Sequence, residues 1–197
     1  MANDKRPARG DLPALLFATP AEWQAWLDLH HASAPGVWLR LAKKGAATPT
    51  PTYDQALEVA LCYGWIDSQK RAEDEQLWQQ KFTPRGARSI WSKINCAKAE
   101  ALIAAGRMHP AGLAEVERAR QDGRWDAAYD AAGSASVPDD LQAALDASPA
   151  AREFFATIDR TNRYAILFRI QTAKKPETRA KRIAQFVAML ERHELIY

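Results

Sequence analysis

The sequence has little of what most catalytic signatures require. Of its 197 residues only two are cysteine, four histidine and nine glycine. Cys62 and Cys96 cannot build a disulfide framework, and they read as free thiols in packed helices; a bridge between them would need an oxidising compartment. Cys62 has no histidine near it in sequence, which argues against a nucleophilic role. His30 and His31 are adjacent and so point to different faces of a helix. His109 and His193 stand alone, and no Cys/His set has zinc spacing. The glycines are scattered, so there is no phosphate-cradling loop and no Gly-x-Ser-x-Gly elbow. No apolar run approaches the roughly 20 residues of a membrane span. Leu12 to Phe17 is too short, and broken by Pro13, for the core of a secretory signal. The expectation is a cytoplasmic protein with no metal, no cofactor and no membrane span.

Hydrophobic residues make up 47% of the chain, enough to bury a core. The net charge is +3 with a pI near 8.9, mildly basic and far from a dedicated nucleic-acid binder. The charge is uneven. Between Gln76 and Ala99 stand five cations and no acid; from Arg160 to Arg182 stand eight cations and one acid, Glu177. Local positive potential therefore matters more than the total.

Residues 1–16 are expected to form a disordered tail. Thr19-Pro20-Ala21-Glu22 is a helix start with a cap, a first-turn proline and a glutamate placed to close the box. Trp23, Trp26, Leu27 and His30 then share a face, and Pro35-Gly36 ends the helix. Val37 to Ala42 alternates as a strand. Thr52 to Gln55 is a second capping box, opening a helix that stops at Gly64. Trp65 to Arg71 and Leu77 to Phe82 read as two strands of a hairpin. Helices follow from about Ser92, with Ile94, Ala97, Ala101 and Leu102 facing inward, and from Pro110. Asp130 to Asp140 reads as a linker. Beyond it Pro138, Ser148-Pro149, Thr161 and Pro176 each open a helix, the last with Ile183, Phe186, Val187 and Leu190 as its core stripe. The pattern predicts an α+β fold: a domain at 17–129 with an antiparallel sheet of about three strands packed by helices, a linker at 130–140, and a helical segment at 141–197 docked on that domain.

Two constellations could carry chemistry. The first joins Trp65, Asp67 and Arg71 to Lys81, Arg85, Ser89, Trp91, Ser92 and Asn95. As a regular strand, residues 65, 67, 69 and 71 share one face. A carboxylate beside Trp65 needs a partner, and Arg85 or Arg71 is expected to supply it. Ser89 or Ser92 would cap the next helix, whose N-terminus attracts anions, and Trp91 would stack on a planar group or an arginine. The same residue types equally describe a sheet with one wet face and ordinary ion pairs. The second constellation is the basic stretch from Arg160 to Arg182. It reads as a solvated helical face, as a phosphate-contacting surface for nucleic acid, or as a docking face.

Gly64-Trp65-Ile66-Asp67-Ser68, Lys81-Phe82-Thr83-Pro84-Arg85, Ser89 to Asn95, Gly106-Arg107-Met108 and Ala173 to Ile183 occur here in order. As an ordered set, spanning about Phe17 to Leu190, they resemble the YdeI/OmpD-associated (bacteriocin-protection) family. The resemblance implies phenotypes: tolerance of bacteriocins or antimicrobial peptides, and association with an outer-membrane porin. It supplies no catalytic residues. The chain departs from the family in having Arg85-Gly86, with Arg88 later, where two arginines often follow the turn proline. The porin association is not carried over to a chain without a signal-like start. The expected function is binding of a small anionic or phosphorylated ligand in a cleft between the hairpin and the helix near Ser92. Arg71, Lys81 and Arg85 would hold the anion, and Ser89, Ser92 and Asn95 would donate to it. Two alternatives stand beside it: an enzyme using Asp67 as general base in that cleft, and nucleic-acid binding through the basic C-terminal helices.

Overall fold

The structure is a computed structural model and describes residues 12–197. It is an α+β fold whose described residues form four strands and eight helices. The chain divides into two compact units. The first holds the described residues up to Ser89 together with Asn95–Trp125; the second holds Ile90–Ile94 and Asp126–Tyr197.

The sheet lies in the first unit. Its strands are β1 (Ala14–Leu16), β2 (Val37–Ala42), β3 (Trp65–Ala72) and β4 (Leu77–Pro84), in the order β1-β2-β4-β3. β2, β4 and β3 are antiparallel neighbours, as expected. The fourth strand, β1, is parallel to β2 and makes the sheet mixed. It corrects part of the expected tail: residues 1–11 lie outside the described residues, but Ala14–Leu16 is strand. Its three residues are too few to show a period of two in sequence.

Helix α1 (Pro20–His30) is capped by Thr19, whose hydroxyl accepts from the Glu22 N–H. Helix α2 (Tyr53–Cys62) carries the full capping box of Thr52 and Gln55. After α2 the chain must reverse into β3, and Gly64 makes that turn at φ +72°. A side chain there would also press on the Ala111 carbonyl and the Glu115 side chain, so both backbone and space select glycine. Trp23, fully buried, is the centre of the core. Its ring meets Trp26, Trp65 and Phe82, and its indole N–H donates to the Ala56 carbonyl at 3.1 Å. Burying both body and polar handle in this way lets a large aromatic stabilise a core without an orphaned donor.

Helices α3 (Lys93–Ala104) and α4 (Pro110–Gln121) follow the sheet. The buried face of α3 is Cys96, Ala99 and Leu102. That corrects the expected inward set, since Ile94 is exposed and only Leu102 is shared. Both cysteines are free and buried.

The second unit is built from α5 (Asp139–Asp146), α6 (Pro149–Thr157), α7 (Arg160–Gln171) and α8 (Pro176–Glu191). Leu141, Leu145, Phe155, Ile166, Leu167, Ile170, Ile183 and Leu190 form its core. Ser148 caps α6 as expected. Helix α7 is capped two residues before Thr161, by Asp159, whose carboxylate accepts from the Thr161 and Asn162 N–H groups. The segment Ile90–Ile94 joins this unit through backbone bonds between Trp91 and Tyr129 and between Lys93 and Tyr129. The Lys93 ammonium adds an ion pair to Asp130 at 2.7 Å, and Gln171 donates to the same carboxylate.

Candidate functional site

The hairpin is where sequence and structure part most. Asp67 pairs with Phe82, but the next regular pairs are Lys70 with Gln80 and Arg71 with Gln79. Between Asp67 and Lys70, β3 spends one residue more than β4, a β-bulge. One extra residue exchanges the two faces of everything beyond it. Asp67 therefore faces with Phe82, toward the helices, while Arg71 faces with Gln79 on the other side. The expectation that Trp65, Asp67, Gln69 and Arg71 share a face is corrected by this bulge, and with it the pairing of Asp67 with Arg71.

Each expected site residue has a definite place. Trp65 is 1% exposed and is a core residue; its indole N–H donates to the His31 carbonyl at 3.1 Å. Asp67 accepts from the Tyr53 hydroxyl at 2.8 Å. Arg85 is 5% exposed, and its backbone N–H donates to the Gly64 carbonyl. Ser89 accepts from the Gly86 N–H and closes the 86–89 turn. Trp91 is 1% exposed, and Ser92 bridges to Tyr129. Trp91 and Ser92 belong to the second unit and Asn95 to the first. The rings of Trp65 and Trp91 are thus not presented to solvent, which removes them as stacking surfaces.

Arg71 and Lys81 do come together, over a residue sequence reasoning left out. Trp38 stands opposite Lys81 in the β2–β4 register. The Arg71 guanidinium carbon is 4.0 Å, and the Lys81 ammonium 5.7 Å, from the Trp38 ring centroid. Both distances are within cation–π range. Arg71 is fixed further by Gln79, whose side-chain oxygen accepts from Nε at 2.9 Å and Nη2 at 2.7 Å. The Gln79 amide in turn donates to Glu73, which Arg40 holds as an ion pair. The hydrogen bond from Arg40 keeps the Glu73 carboxyl below its usual range. The chain Arg40–Glu73–Gln79–Arg71 therefore orients one cation with another cation and a carboxylate at its far end.

Next to this array, at the turn end of the hairpin, is a pocket of about 390 Å³ lined by Lys43, Lys70, Arg71, Ala72 and Trp78. No acidic side chain lines it. Lys43 is tethered by a 2.7 Å bond to the Asp74 carbonyl. Asp74 itself shapes the turn by accepting from the Gln76 and Leu77 N–H groups, which hold its carboxyl below the ordinary range. Tyr53 packs beside Trp78, ring centroids 6.2 Å apart. Lys43, Lys70 and Trp78 were missed because they lie in a loop, beyond the bulge and on the partner strand. The surplus of lysine and arginine around the hairpin was their only signal in sequence.

Two further clusters join residues far apart in sequence or outside the expected site. His31 and His109 meet at 4.6 Å between centroids, with Tyr63 stacked on His109. His109 caps α4, its Nδ1 accepting from the Ala111 N–H. Tyr63 donates to Asp28, and desolvation together with that bond raises the phenol far above its ordinary range. The other cluster is a buried ion pair between Glu115 and Arg124, 4% and 8% exposed and 3.1 Å apart. Arg124 also donates to Asp122 and to the Ser89 carbonyl, so it ties the 86–89 turn to α4.

In the second unit, four of the basic residues are occupied internally. Arg163 lies over the Phe155 ring, Arg169 donates to the Ala165 carbonyl, Arg182 to the Arg169 carbonyl, and Arg179 pairs with Asp140. Among the described residues no group of three or more histidine, cysteine, aspartate or glutamate side chains is placed to hold a metal ion, and no helix is long and apolar enough to cross a membrane.

Comparison with curated proteins finds no match, and comparison with solved structures finds none. Two family models match. Residues 134–193 match the family described as Bacteriocin-protection, YdeI or OmpD-Associated, in agreement with the resemblance; the Ala173 to Ile183 motif lies inside that match. The motifs from Gly64 to Met108 lie instead under another model, which covers residues 15–115. By that match, over just half of its length, the chain belongs to the family of the domain of unknown function DUF8412, and it carries a segment of the Bacteriocin-protection, YdeI or OmpD-Associated family behind it.

Proposed function

We propose that the protein binds a small anionic or phosphorylated ligand at the turn end of the β3–β4 hairpin, and that this binding serves the bacteriocin tolerance for which the family of its C-terminal segment is named. One observation carries the reading: Lys43, Lys70 and Arg71 border a single open pocket with Trp78 and no acid. Three cations with no carboxylate in the lining, and with Asp74 standing behind Lys43, leave a positive potential at the pocket that an anion offsets. Arg71 and Lys43 are already oriented by Gln79 and the Asp74 carbonyl, so little side-chain freedom is lost on binding. The site replaces the expected cleft between hairpin and helix. It keeps Arg71 and places Lys81 beside it on Trp38. A cytoplasmic site of action belongs to the same reading, supported by two free thiols.

The test is calorimetric titration with pyrophosphate at low salt. Binding that weakens about tenfold in Lys70→Ala, and falls with added salt, supports the reading. Unchanged heats in Lys70→Ala and Lys43→Ala would remove it. Nucleic-acid binding through the basic helices is the weaker alternative, because Arg163, Arg169, Arg179 and Arg182 already have partners within their own unit.

A further inference from the structure

The hairpin pocket offers more than charge. Its volume of about 390 Å³ falls in the range of small-molecule sites, about 300–1,000 Å³. Trp78 supplies an aromatic wall. In the sheet this tryptophan stands between Leu41 on β2 and Ala72 on β3. Leu41 is buried, whereas Ala72 is exposed and carries only a methyl group. β3 is the outermost strand on that side, so no further strand lies beyond Ala72. The indole is left half-buried and uncovered toward the sheet edge. Tyr53 braces it from the helix side: the two rings pack at a 40° tilt, and the Tyr53 hydroxyl donates to Asp67 at 2.8 Å. A wall held in this way loses little freedom when a flat group is laid on it.

The cations stand around that wall. Lys70 lies two residues before Ala72 and past the bulge, so it shares the face of Trp78. Lys43 follows β2, and Arg71 reaches the pocket from the strand edge; the Asp74 carbonyl holds the first and Gln79 the second. Lysine, arginine and the indole N–H are donors only, so the lining has no side-chain acceptor. Such a lining takes up oxygen anions and has nothing that reads the donors of a base edge. A bare phosphate or pyrophosphate would satisfy the cations and leave the indole wet. A ligand that joins phosphates to a flat ring uses both. One indole offers one stacking surface, which matches a single ring and not a strand of them.

We propose that the hairpin site takes a free nucleotide, its base stacked on Trp78 and its phosphates among Lys43, Lys70 and Arg71. The phosphates occupy the anion site proposed above, so the assignment rests on that reading; the base is what it adds. Stacking on an aromatic side chain tolerates any base, because every base has a π-face. With no acceptor in the lining to choose between base edges, purine and pyrimidine nucleotides are held alike.

Calorimetric titration of the full chain at low salt compares pyrophosphate, ADP, UDP and adenosine. ADP is expected to bind about tenfold more tightly than pyrophosphate, and UDP within about threefold of ADP. Adenosine, with the ring and no charge, should bind more weakly than either diphosphate. The ratio of ADP to pyrophosphate affinity should fall to about one in Trp78→Leu. The same is expected in Ala72→Ile, whose larger side chain covers the indole from an exposed edge position. The parent chain gives a readout that needs no variant: nuclear Overhauser contacts between the base protons of ADP and the Trp78 indole. ADP or UDP no tighter than pyrophosphate, a ratio kept in both variants, or base protons without contact to Trp78 would overturn the nucleotide and leave the anion site standing. A single-stranded oligonucleotide that binds more tightly than ADP would overturn it in favour of nucleic acid. No binding of pyrophosphate or ADP, or binding of both indifferent to Lys70→Ala, would remove the anion site and the nucleotide together.

Discussion

Arg71 sits with its guanidinium carbon 4.0 Å from the centroid of the Trp38 ring, although the two residues are on strands separated by β4. The side chain crosses the sheet, and Gln79, on the intervening strand, fixes it by two hydrogen bonds to one oxygen. Lysine cannot reproduce that fork or that stacking. Arg71→Lys is therefore expected to weaken pyrophosphate binding by about fivefold although the charge is kept, and Gln79→Leu by a smaller factor. Calorimetric titration of the two variants beside the parent chain measures both.

The bulge between Asp67 and Lys70 decides which cations face which side. Deleting Gln69 should restore a regular ladder and turn Lys70, Arg71 and Ala72 to opposite faces. The expected result is a folded but less stable chain that has lost anion binding and the Arg71–Trp38 contact. Tryptophan fluorescence, sensitive to the cation beside Trp38, checks it together with the titration.

Glu115 and Arg124 form a buried pair, and Arg124 keeps Asp122 as a second partner when Glu115 is removed. Glu115→Ala should cost about 1–3 kcal/mol in denaturant unfolding. Glu115→Ala combined with Arg124→Met should recover part of that loss. A double variant no better than the single would show that the pair is not coupled.

Gly112 lies inside α4, where alanine normally favours the helix by roughly 1 kcal/mol. Here a Cβ would collide with the Cys62 carbonyl, because α4 crosses the end of α2 backbone to backbone. Gly112→Ala should therefore destabilise, by about 2 kcal/mol or more. A rise in melting temperature would contradict the close approach.

Asp130 is held below the usual carboxylate range, first by the Lys93 ammonium, against desolvation, and then by Gln171. A depressed folded-state pKa gives stability that is present above the unfolded value near 3.9 and is lost as pH falls through the folded one. Lys93 is largely exposed, so the contribution is about 0.5–1 kcal/mol. Asp130→Asn should be less stable by that amount at pH 7, with the difference closing below about pH 4. Urea unfolding of both chains across pH 3–7 measures it.

Local chemistry was legible in the sequence, and long-range register was not. Thr19, Thr52 and Ser148 announced their helices because a cap and its partner lie within three residues. The hairpin and Gly64 were legible for the same reason. Thr161 was taken for the α7 cap because Asp159, the residue that caps it, also reads as a loop residue. The β3 bulge left no mark in composition, yet it alone moved Arg71 from the side of Asp67 to the side of Trp38. His109 read as isolated because 78 positions separate it from His31, and only the packing of α4 beyond α2 joins them. The candidate site was legible as a basic hairpin, but its members depended on the bulge and on a lysine in the loop after β2.

The most direct test of the anion site is a titration of isotopically labelled protein with pyrophosphate, followed by amide and indole NMR signals. The account predicts shifts confined to Lys43, Lys70, Arg71, Ala72 and the Trp78 indole, and their disappearance in Lys70→Ala. Shifts centred on Asp67 and Arg85 with the hairpin end silent, or no shifts at all, would contradict it.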